Sequence, residues 1–409
     1  MRINCIVGPF LPLPPVLGGA CEKIFYALCE EFARRGHDVT MISRTFRDFP
    51  TEEVINGVRH VRVKSRDMPG NKLVFRIADI LYAWRIRKAL PKADVTITNS
   101  VSAPIIIPRR KAGKIYVDVA RYPKGQMALY SRVDRLQCCS SHIARAVIAQ
   151  TPSVAHLVKA IPNTLTSIFA EEAEASLTLE KEKRIVFVGR IAREKGVDLL
   201  IKAFALMSSR HPEWRLVVVG PHLETQGGDG EDFLEELKAL AERSGAAVDF
   251  TGPVFNEHQL ADHFRRSAIF VYPSVAELGE AFPVAPLEAM ACGCAPVVSD
   301  LGCFGDAITP GVHGLSFDHR DPTGAPLAKA LEQLILDEPL RQRFAEASKA
   351  KSRDYVPERV AQLFLEDFAE LTGLPADGGD VLPAMPPARR EAVALPGFAA
   401  PQLSGVQPS

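Results

Sequence analysis

The chain has 409 residues, of which 47% are hydrophobic and 24% charged, an ordinary composition for a globular protein with enough apolar residues for two cores. Its length predicts about two or three domains. The formal net charge is zero, which argues against a nucleic-acid-binding protein of overall basic charge, and the eight cysteines show no metal-ligand spacing. The cysteines are expected to be small buried residues of a reducing compartment.

Residues 1–165 are predicted to form a first doubly wound α/β domain. An apolar run over 2–8, an amphipathic helix that closes at Gly36 and an apolar run over 36–43 make the strand–helix–strand unit of a parallel sheet. The opening run is interpreted as a strand and not as a signal peptide, and no apolar stretch is long enough to span a membrane, so a cytoplasmic protein is expected. Further strands are predicted at 59–63, 94–100, 114–119 and 135–140, with a helix over 141–150.

A basic segment lies between Arg59 and Lys124, where sixteen Lys and Arg stand against four Asp, a net charge of +12. The segment is either a solvated face or a surface that attracts an anionic partner, such as a membrane leaflet or a phosphate-bearing acceptor. Residues 72–90 interleave apolar and basic residues at helical spacing, with Tyr82 and Trp84 suited to a membrane interface. One hypothesis is peripheral contact with the inner face of an anionic membrane. The alternative is that the apolar residues pack on the domain core, namely Leu73, Ile77, Ile80, Leu81 and Trp84.

A second α/β domain is predicted over 184–355, after an acidic linker at 166–183. A terminal helix is expected over 356–373 and a disordered tail over 374–409. Two such domains leave a cleft between the carboxyl ends of their sheets, where open α/β sheets bind ligands. The predicted strands lie at 184–189, 215–220, 247–252, 268–274, 295–300 and 313–317, and the helices at about 197–209, 231–243, 257–266 and 285–292.

The first loop, over residues 8–20, ends in Gly18 and Gly19 at the start of a helix. Free backbone N–H groups and the helix dipole favour an anion there, and glycine lets a ligand approach the backbone. A bare glycine pair is equally compatible with a simple turn. The spacing is not G-x-G-x-x-G, which argues against a dinucleotide cofactor.

The stretch VGRIAREKG, residues 188–196, places Arg190 and Lys195 after the first strand of the second domain. Arginine can bind a phosphate through two hydrogen bonds and lysine supplies a mobile point charge, so the two cations suit a diphosphate. The alternative is an exposed loop that pairs with Glu194.

The stretch GEAFPVAPLEAMACG, residues 279–293, contains two carboxylates eight positions apart. Pro286 is predicted in the first turn of a helix that Gly293 caps. Glu288 is therefore predicted in that first turn, and Glu280 on the loop before it. Carboxylates so placed can accept hydrogen bonds from vicinal hydroxyls, which predicts two sugars that flank one diphosphate. The backbone N–H groups expected to bind the phosphate are those of Ala281, Phe282 and Val284.

In this order and spacing the motifs resemble the retaining glycosyltransferase family 4, which has the GT-B fold of two Rossmann-like domains that face each other across a cleft. The segments FTGPV, VYPS, GCFGDAI and GVHGLSF follow in the family's order, and the glycine pair with its helix and second strand is similar as well. The resemblance implies an enzyme, independent of metal and cofactor, that moves a sugar from a nucleotide-diphosphate donor to an acceptor hydroxyl. Retention, and a place in polysaccharide or glycoconjugate biosynthesis, are also implied.

The resemblance further implies a role for each matching residue. Arg190 and Lys195 would neutralise the donor diphosphate, and Glu280 would contact the transferred sugar. Glu288 would bind the ribose hydroxyls, and the backbone near Val254 would lie beside the base. The implied catalytic set is Arg190, Lys195 and Glu280, and the implied donor-binding set is Gly18, Gly19, Arg190, Lys195, Val254, Glu280, Phe282, Val284 and Glu288, with no metal ligand.

Two departures from the family's pattern stand out. Pro283 replaces the usual glycine after Phe282 and has no N–H to donate. The usual histidine at the end of a central strand of the first domain is absent, and the nearby polar candidates are Asp118, Arg121 and Lys124. His142 is interpreted as a residue of a helix-cap region, and no general base is assigned.

Alternatives to the transferase remain open. A related enzyme without a glycosyl acceptor, such as a nucleotide-sugar epimerase or a phosphorylase, would share the donor site. A non-catalytic nucleotide-sugar-binding protein would explain both departures. The acceptor of a transferase is equally open between a glycan, a lipid-linked oligosaccharide and a small molecule.

Overall fold

The computed structural model describes residues 1–177 and 180–377, apart from the side chain of Lys72. Most of the predicted tail, from residue 378 onward, lies outside the described residues. Within them, no helix combines the length and the apolar character needed to cross a bilayer. Two parallel sheets, one in each half of the chain, organise the molecule.

The N-terminal domain alternates strands and helices as its apolar patterns predict. Helix α1, for example, repeats Ile24, Leu28 and Phe32 at helical spacing, and all three are buried. The strands are β1 (Arg2–Ile6), β2 (Asp38–Arg44), β3 (Glu52–Ile55), β4 (Val58–Val63), β5 (Val95–Thr98), β6 (Lys114–Val119), β7 (Arg135–Cys138) and β8 (Val158–Ala160). The helices are α1 (Ala20–Arg34), α2 (Lys72–Ala89), α3 (Ala103–Ile106), α4 (Arg109–Ala112) and α5 (Ser141–Gln150).

The strand order of this sheet is β3-β4-β2-β1-β5-β6-β7-β8, parallel except for the pairing of β3 with β4. The chain builds outward from β1 in one direction and then from β5 in the other, so the topological switch point lies between these two strands. The predicted strands are confirmed. Strands β3 and β8 were not predicted, because they are short and lack a buried apolar run.

The C-terminal domain is a six-stranded parallel sheet of order β11-β10-β9-β12-β13-β14, and its six predicted strands are confirmed. Its switch point lies between β9 and β12. The strands are β9 (Glu182–Val188), β10 (Arg215–Val219), β11 (Val248–Gly252), β12 (Ser267–Tyr272), β13 (Ala295–Ser299) and β14 (Leu315–Phe317). The helices are α6 (Ser167–Glu174), α7 (Val197–Ser208), α8 (Gly230–Ser244), α9 (Glu257–Arg266), α10 (Val284–Ala291), α11 (Ala325–Leu336), α12 (Glu338–Ser352) and α13 (Pro357–Thr372).

The segment predicted as a linker, 166–183, contains helix α6 and the start of β9. Phe169 and Ala173 on α6 are fully buried. The ring of Phe169 packs edge-on to that of Phe264 on α9, with centroids 6.0 Å apart. This helix therefore packs on the C-terminal domain; Glu171 and Glu174 are exposed, while the half-buried Glu172 pairs with Arg265 at 2.8 Å.

The terminal helix α13 returns to the N-terminal domain. Phe368 packs against Phe32 of α1 and Tyr116 of β6, with ring centroids 5.9 and 5.1 Å apart. Beside it, the buried Asp367 carboxylate accepts hydrogen bonds from Arg135, at 2.7 Å, and from the Tyr116 hydroxyl, at 2.8 Å. The last described helix therefore completes the core of the first domain.

Candidate active site

Two loops of the C-terminal domain meet in a buried ion pair. The Nζ atom of Lys195 lies 2.5 Å from Oε1 of Glu280, and the two residues are only 6% and 5% exposed. The same Nζ lies 5.5 Å from the centroid of the Tyr272 ring. The structure thus brings together a cation and a carboxylate, 85 positions apart in the chain, that were expected to share one ligand.

Adjacent strands explain why these loops meet. Strands β9 and β12 are neighbours, so the loops that follow them start side by side. The Glu194 carbonyl accepts hydrogen bonds from Ser274 Oγ and from the Val275 N–H, both at 3.0 Å. Gly196 has φ +66°, and a Cβ there would collide with the Pro273 carbonyl oxygen. Glycine is therefore required for this close approach of the two loops.

Arg190 lies in the same charge network but is half exposed. Its guanidinium contacts Glu194 Oε1 at 2.7 Å and donates to the Gly227 carbonyl at 2.5 Å. The predicted alternative of pairing with Glu194 is therefore present in the structure. Glu194 Oε1 also lies 3.9 Å from Lys195 Nζ, so the pairing links Arg190 to the Lys195–Glu280 ion pair.

The second carboxylate, Glu288, lies on α10 and faces the other domain. The helix begins at Val284, so Glu288 is its fifth residue and opens the second turn; the prediction of the first turn is wrong by one residue. Burial raises the pKa of Glu288 to about 7, and the charge of Lys23 on α1 opposes this rise, while Glu257 on α9 adds to it. Gly293 follows the helix with φ +72°, as predicted for its C-terminal cap.

The glycine pair faces the C-terminal domain. Gly18 and Gly19 have φ +76° and +94°, and a Cβ at Gly19 would collide with Glu22 and Leu11. A Cβ at Gly18 would lie 3.8 Å from the Phe255 ring. Because Phe255 directly follows Val254, the structure brings the glycine turn next to the predicted base-binding segment.

The loop between the two carboxylates keeps its predicted N–H donors available. Within the described residues, the backbone N–H groups of Ala281, Phe282 and Val284 donate to no protein acceptor. Pro283 is the N-cap residue of α10, where its missing N–H costs no helical hydrogen bond. Phe282 is buried and its ring lies 5.7 Å from that of Tyr355, so this side chain packs while its backbone is free to bind a ligand.

Contacts between the domains hold this loop, and the sequence did not reveal them. Ser140 Oγ donates to the Ala281 carbonyl at 2.8 Å, and Asn163 Nδ2 donates to the Phe282 carbonyl at 2.8 Å. Across the cleft, Lys23 Nζ lies 2.8 Å from Glu257 Oε1. These partners are far apart in the chain and carry no local motif that could have shown their proximity.

On the N-terminal side of the cleft, the polar candidates differ in their surroundings. Asp118 is buried, and burial raises its pKa to about 7. Arg121 and Lys124 are exposed. His142 is the second residue of α5, in the cap region as predicted, and burial lowers its pKa.

Helix α2 decides between the two interpretations of its apolar residues. The prediction that they pack on the core is wrong, because all five are exposed; they are Leu73, Ile77, Ile80, Leu81 and Trp84. Tyr82, expected at an interface, is instead fully buried, and its hydroxyl donates to the Val7 carbonyl at 3.3 Å. The helix packs through the opposite face, formed by Ala78, Tyr82, Ala83 and Ile86.

The exposed apolar face of α2 also carries positive charge. Arg76, Arg87 and Lys88 are exposed on the same helix, and the Arg87 guanidinium lies 5.0 Å from the Trp84 ring centroid. Val101, just before the neighbouring helix α3, and Ile105, within that helix, are exposed as well. This apolar and basic surface is called the α2 face below.

The side chains that could hold a metal are dispersed in the described part of the chain. There, no group of three or more His, Cys, Asp or Glu is placed to bind an ion, and independence from metal remains a prediction. The eight cysteines are free thiols, and seven of them are buried, as expected. Burial raises the pKa of the remaining one, Cys21, to about 12.

Comparison with protein families matches residues 169–351 to the glycosyl transferases group 1. A D-inositol 3-phosphate glycosyltransferase of Corynebacterium jeikeium (strain K411) is 35% identical over 192 residues, which are 46% of this chain and 42% of that protein. Its counterpart in Corynebacterium urealyticum is 31% identical over 244 residues, 58% of this chain and 54% of that protein. The chain thus spans about half the length of these curated relatives.

Solved structures resemble nearly the whole described chain. Sucrose-phosphate synthase from Thermosynechococcus elongatus superposes with a TM-score of 0.73 and 18% identity, over 91% of this chain and 100% of that one. Anabaena HepE in complex with UDP superposes with a TM-score of 0.68 and 18% identity, over 90% of this chain and 100% of that one. The predicted GT-B fold and the resemblance to glycosyltransferases are confirmed by these similarities.

Proposed function

We propose that this chain, whose C-terminal domain is a member of the glycosyl transferases group 1 family, transfers a sugar from a nucleotide-diphosphate donor to an acceptor hydroxyl. The observation that carries the proposal is the buried Lys195–Glu280 pair beside the free N–H groups of the following loop. Cation, carboxylate and N–H donors together match the phosphate and hydroxyl groups of a nucleotide sugar. HepE, which resembles this chain in fold, was crystallised with UDP and with UDP-glucose, and this favours a nucleotide sugar here.

The chemistry needs stabilisation of a leaving diphosphate. The bond between the anomeric carbon and the diphosphate oxygen breaks, and its electron pair stays on the diphosphate. The acceptor oxygen forms the new bond to the anomeric carbon, and its proton passes to the departing diphosphate oxygen. Lys195, Arg190 and the N–H groups before α10 neutralise the departing charge. One such preorganised donor or cation is typically worth ~3–4 kcal/mol of transition-state stabilisation.

The two carboxylates bind different parts of the donor. Glu280 is held in place by Lys195 and lies on the loop before α10, where it accepts hydrogen bonds from the hydroxyl groups of the transferred sugar. Glu288 lies further along, near Lys23 of the glycine-turn side and Glu257 of α9, and accepts hydrogen bonds from the ribose. Val254, beside the glycine turn, flanks the base. The configuration at the anomeric carbon is retained and no metal is used, as in the family that the sequence resembles.

The experiment is sugar transfer with a panel of UDP-, GDP- and ADP-sugars, first selected by thermal shift. A ligand at a hundred times its Kd adds ~2.7 kcal/mol of stability, so the correct nucleotide is readily found. Glu288→Gln and Lys195→Gln are expected to abolish transfer, while the exposed Lys202→Ala on α7 keeps it. Unchanged turnover in both site variants would refute the proposal.

Controls in the same assay separate the other possibilities. Transfer that persists in EDTA supports independence from metal, and the anomeric configuration of the product, read by NMR, tests retention. Donor turnover without acceptor would instead indicate an epimerase, and a requirement for inorganic phosphate a phosphorylase. Tight nucleotide binding with no turnover would indicate a binding protein.

We further propose that the α2 face contacts an anionic membrane. Its exposed Leu73, Ile77 and Trp84 offer apolar contact, and the surrounding arginines and lysines attract anionic headgroups at ~1 kcal/mol per charge close to the surface. The face borders the first loop of the cleft, because the Phe75 ring packs 4.6 Å from that of Phe10. A bound membrane would therefore lie near the acceptor side.

Liposome sedimentation tests this contact. Binding is expected to liposomes that contain phosphatidylglycerol at low salt and not to neutral ones, because salt screens surface charge. Ile77→Glu with Trp84→Glu should abolish it, while Leu206→Glu, at an equally exposed apolar position on α7, should not. Equal sedimentation of the double variant and the wild type would contradict the proposal.

A further inference from the structure

Two buried arginines hold the first loop of the N-terminal domain. Arg62 on β4 donates to the Leu13 carbonyl from Nε, at 3.2 Å, and from Nη2, at 2.8 Å. Its Nη1 donates to the Pro50 carbonyl at 2.6 Å. Arg44, the last residue of the neighbouring strand β2, donates to the Phe10 carbonyl at 2.7 Å. The loop is therefore attached to the ends of two strands through two of its carbonyl groups.

Leu11 connects this attachment to the glycine turn. It lies between the two attached carbonyls, and a Cβ at Gly19 would lie only 2.5 Å from Leu11 Cδ1, so the leucine side chain packs directly against Gly19. The turn itself is closed by a hydrogen bond from the Gly18 N–H to the Pro15 carbonyl, at 3.0 Å. The position of the glycine turn thus depends on β2 and β4 as well as on α1, the helix that follows it.

The glycine turn leads into a group of unpaired N–H donors. Within the described residues, the backbone N–H groups of Gly19, Ala20 and Cys21 donate to no protein acceptor. They lie at the start of α1, where the helix dipole favours an anion. A binding site that is already ordered loses less conformational freedom when its ligand arrives, and so binds it more tightly. Holding the first loop in place therefore favours the binding of an anion at this turn.

We infer that Arg62 and Arg44 are positioning residues for the donor, because they hold the first loop so that the N–H groups of the glycine turn are already in place for the diphosphate. The inference rests on the proposed function. Both arginines are buried and bind loop carbonyls. Their charges are paired, Arg62 with Glu53 at 2.6 Å and Arg44 with Asp67 at 2.7 Å. Their contribution is therefore the geometry of the loop and not direct attraction of the phosphates.

The shape of the guanidinium suits this role. Arg62 directs two N–H groups at one carbonyl and a third at another, which requires the planar, five-donor fork of arginine. The ammonium of lysine is a single centre and cannot span both carbonyls. Arg62→Lys is therefore expected to keep a positive charge near Glu53 while it releases the loop.

Calorimetric titration tests the inference, with the nucleoside diphosphate that the wild type prefers and, by competition, its phosphate-free nucleoside. Arg62→Lys is expected to weaken diphosphate binding about tenfold, because the N–H donors are displaced. The affinity for the nucleoside should not change, since it has no phosphate to bind the turn. Arg59→Ala, on the same strand but paired at the surface with Glu52, should alter neither affinity. An unchanged diphosphate affinity in Arg62→Lys, or an equal loss for both ligands, would overturn the inference.

A double-mutant cycle shows whether the effect passes through the glycine turn. Gly19→Ala introduces a Cβ that collides with Leu11 and Glu22, and should by itself weaken diphosphate binding. If Arg62 acts through the turn, Arg62→Lys should cause little further loss in the Gly19→Ala background. An undiminished tenfold loss there would show that Arg62 acts by another route, and the positioning role would be rejected.

Arg44→Met provides the same test if Arg62→Lys does not fold. The partner of Arg44, Asp67, is exposed, so this variant leaves no buried charge unpaired. It should likewise weaken diphosphate binding and leave nucleoside binding unchanged. If the wild type binds no nucleotide, the proposed function fails. If the wild type binds both ligands and the ratio of the two affinities stays at the wild-type value in either folded variant, only the positioning role fails.

Discussion

The two sides of the cleft handle buried charge in opposite ways. On the C-terminal side, Lys195 and Glu280 neutralise each other, and Glu194 joins Arg190 to the pair. On the N-terminal side, Asp118 is buried, and burial raises its pKa with no opposing charge from the described residues. In the proposed function, a diphosphate that arrives on the first side exchanges one ionic partner for another.

Glu288 combines features of both sides. It belongs to the C-terminal domain, yet it is buried and forms no ion pair within the described residues, where the nearby charge of Lys23 opposes the rise of its pKa. The proposed donor site therefore has paired charges at one end and a carboxylate for hydroxyl groups at the other. Four variants test this division, given in order of decreasing effect on stability.

The largest effect is expected from breaking the buried pair. Lys195→Met leaves Glu280 buried without its cation, which should lower the free energy of unfolding by ~3–5 kcal/mol. Lys195→Met combined with Glu280→Leu removes both charges and should recover most of that loss. Urea denaturation measures both. A double variant as unstable as the single one would show that the charges are not mutually compensated.

A stabilising effect of about 3 kcal/mol is expected from Glu288→Gln above pH 7. The folded-state pKa of about 7 exceeds the ordinary value of 4.5, so the folded protein binds the extra proton and wild-type stability falls as the pH rises from 4.5 through 7. The variant removes this cost, so its advantage should be full at pH 8 and absent near pH 4.5. Thermal unfolding across this range is the measurement. An advantage independent of pH would rule out the ionisation as its cause.

A smaller loss, ~0.5–1 kcal/mol, is expected from Lys23→Ala, which removes a partly exposed ion pair between the domains. Because Lys23 also lowers the pKa of Glu288, the acid limb of nucleotide binding should shift to higher pH. Calorimetric titration of the nucleotide at several pH values detects the shift, with Lys202→Ala as the control. If the acid limb of nucleotide binding is unchanged in Lys23→Ala, then Lys23 does not influence the ionisation of Glu288, the carboxylate proposed to bind the ribose.

The smallest effect on stability is expected from Arg190→Ala, because exposed ion pairs contribute ~0–1 kcal/mol. Its effect on catalysis should be far larger, since Arg190 faces the proposed diphosphate. Comparison of Tm with kcat for this variant and for Arg193→Ala, an exposed neighbour paired with Glu236, separates the two contributions. Equal kcat values for Arg190→Ala and Arg193→Ala would show that Arg190 does not act on the diphosphate.

Local patterns accounted for much of the fold and part of the site. Buried apolar runs identified the central strands, and Gly293 identified the end of α10, because strand burial and helix capping depend on neighbours in the chain. The approach of the Lys195 loop to the Glu280 loop was expected, since the carboxyl ends of neighbouring parallel strands lie together, but the ion pair between the two side chains was not. The start of α10 was misplaced by one residue, because Pro283 and Pro286 are both compatible with a helix start.

Other features were decided only by tertiary structure. Helical periodicity cannot tell which of two apolar stripes of α2 meets the core, and the stripe with Leu73, Ile77 and Trp84 proved to be the exposed one. Helix α13 completes the core of the first domain by contacts with residues more than 200 positions away. The unpaired state of Asp118 likewise depends on which strands stand beside β6.

Local patterns in the sequence were enough to predict the alternation of strands and helices, the two sheets and the motifs of the proposed donor loops. These properties follow from periodicity and turn chemistry, which operate over a few residues. Tertiary structure alone decided which charges are paired, which apolar face is covered and which side chains meet across the cleft. Desolvation and packing depend on every group within several ångströms, and in this chain those groups come from distant segments.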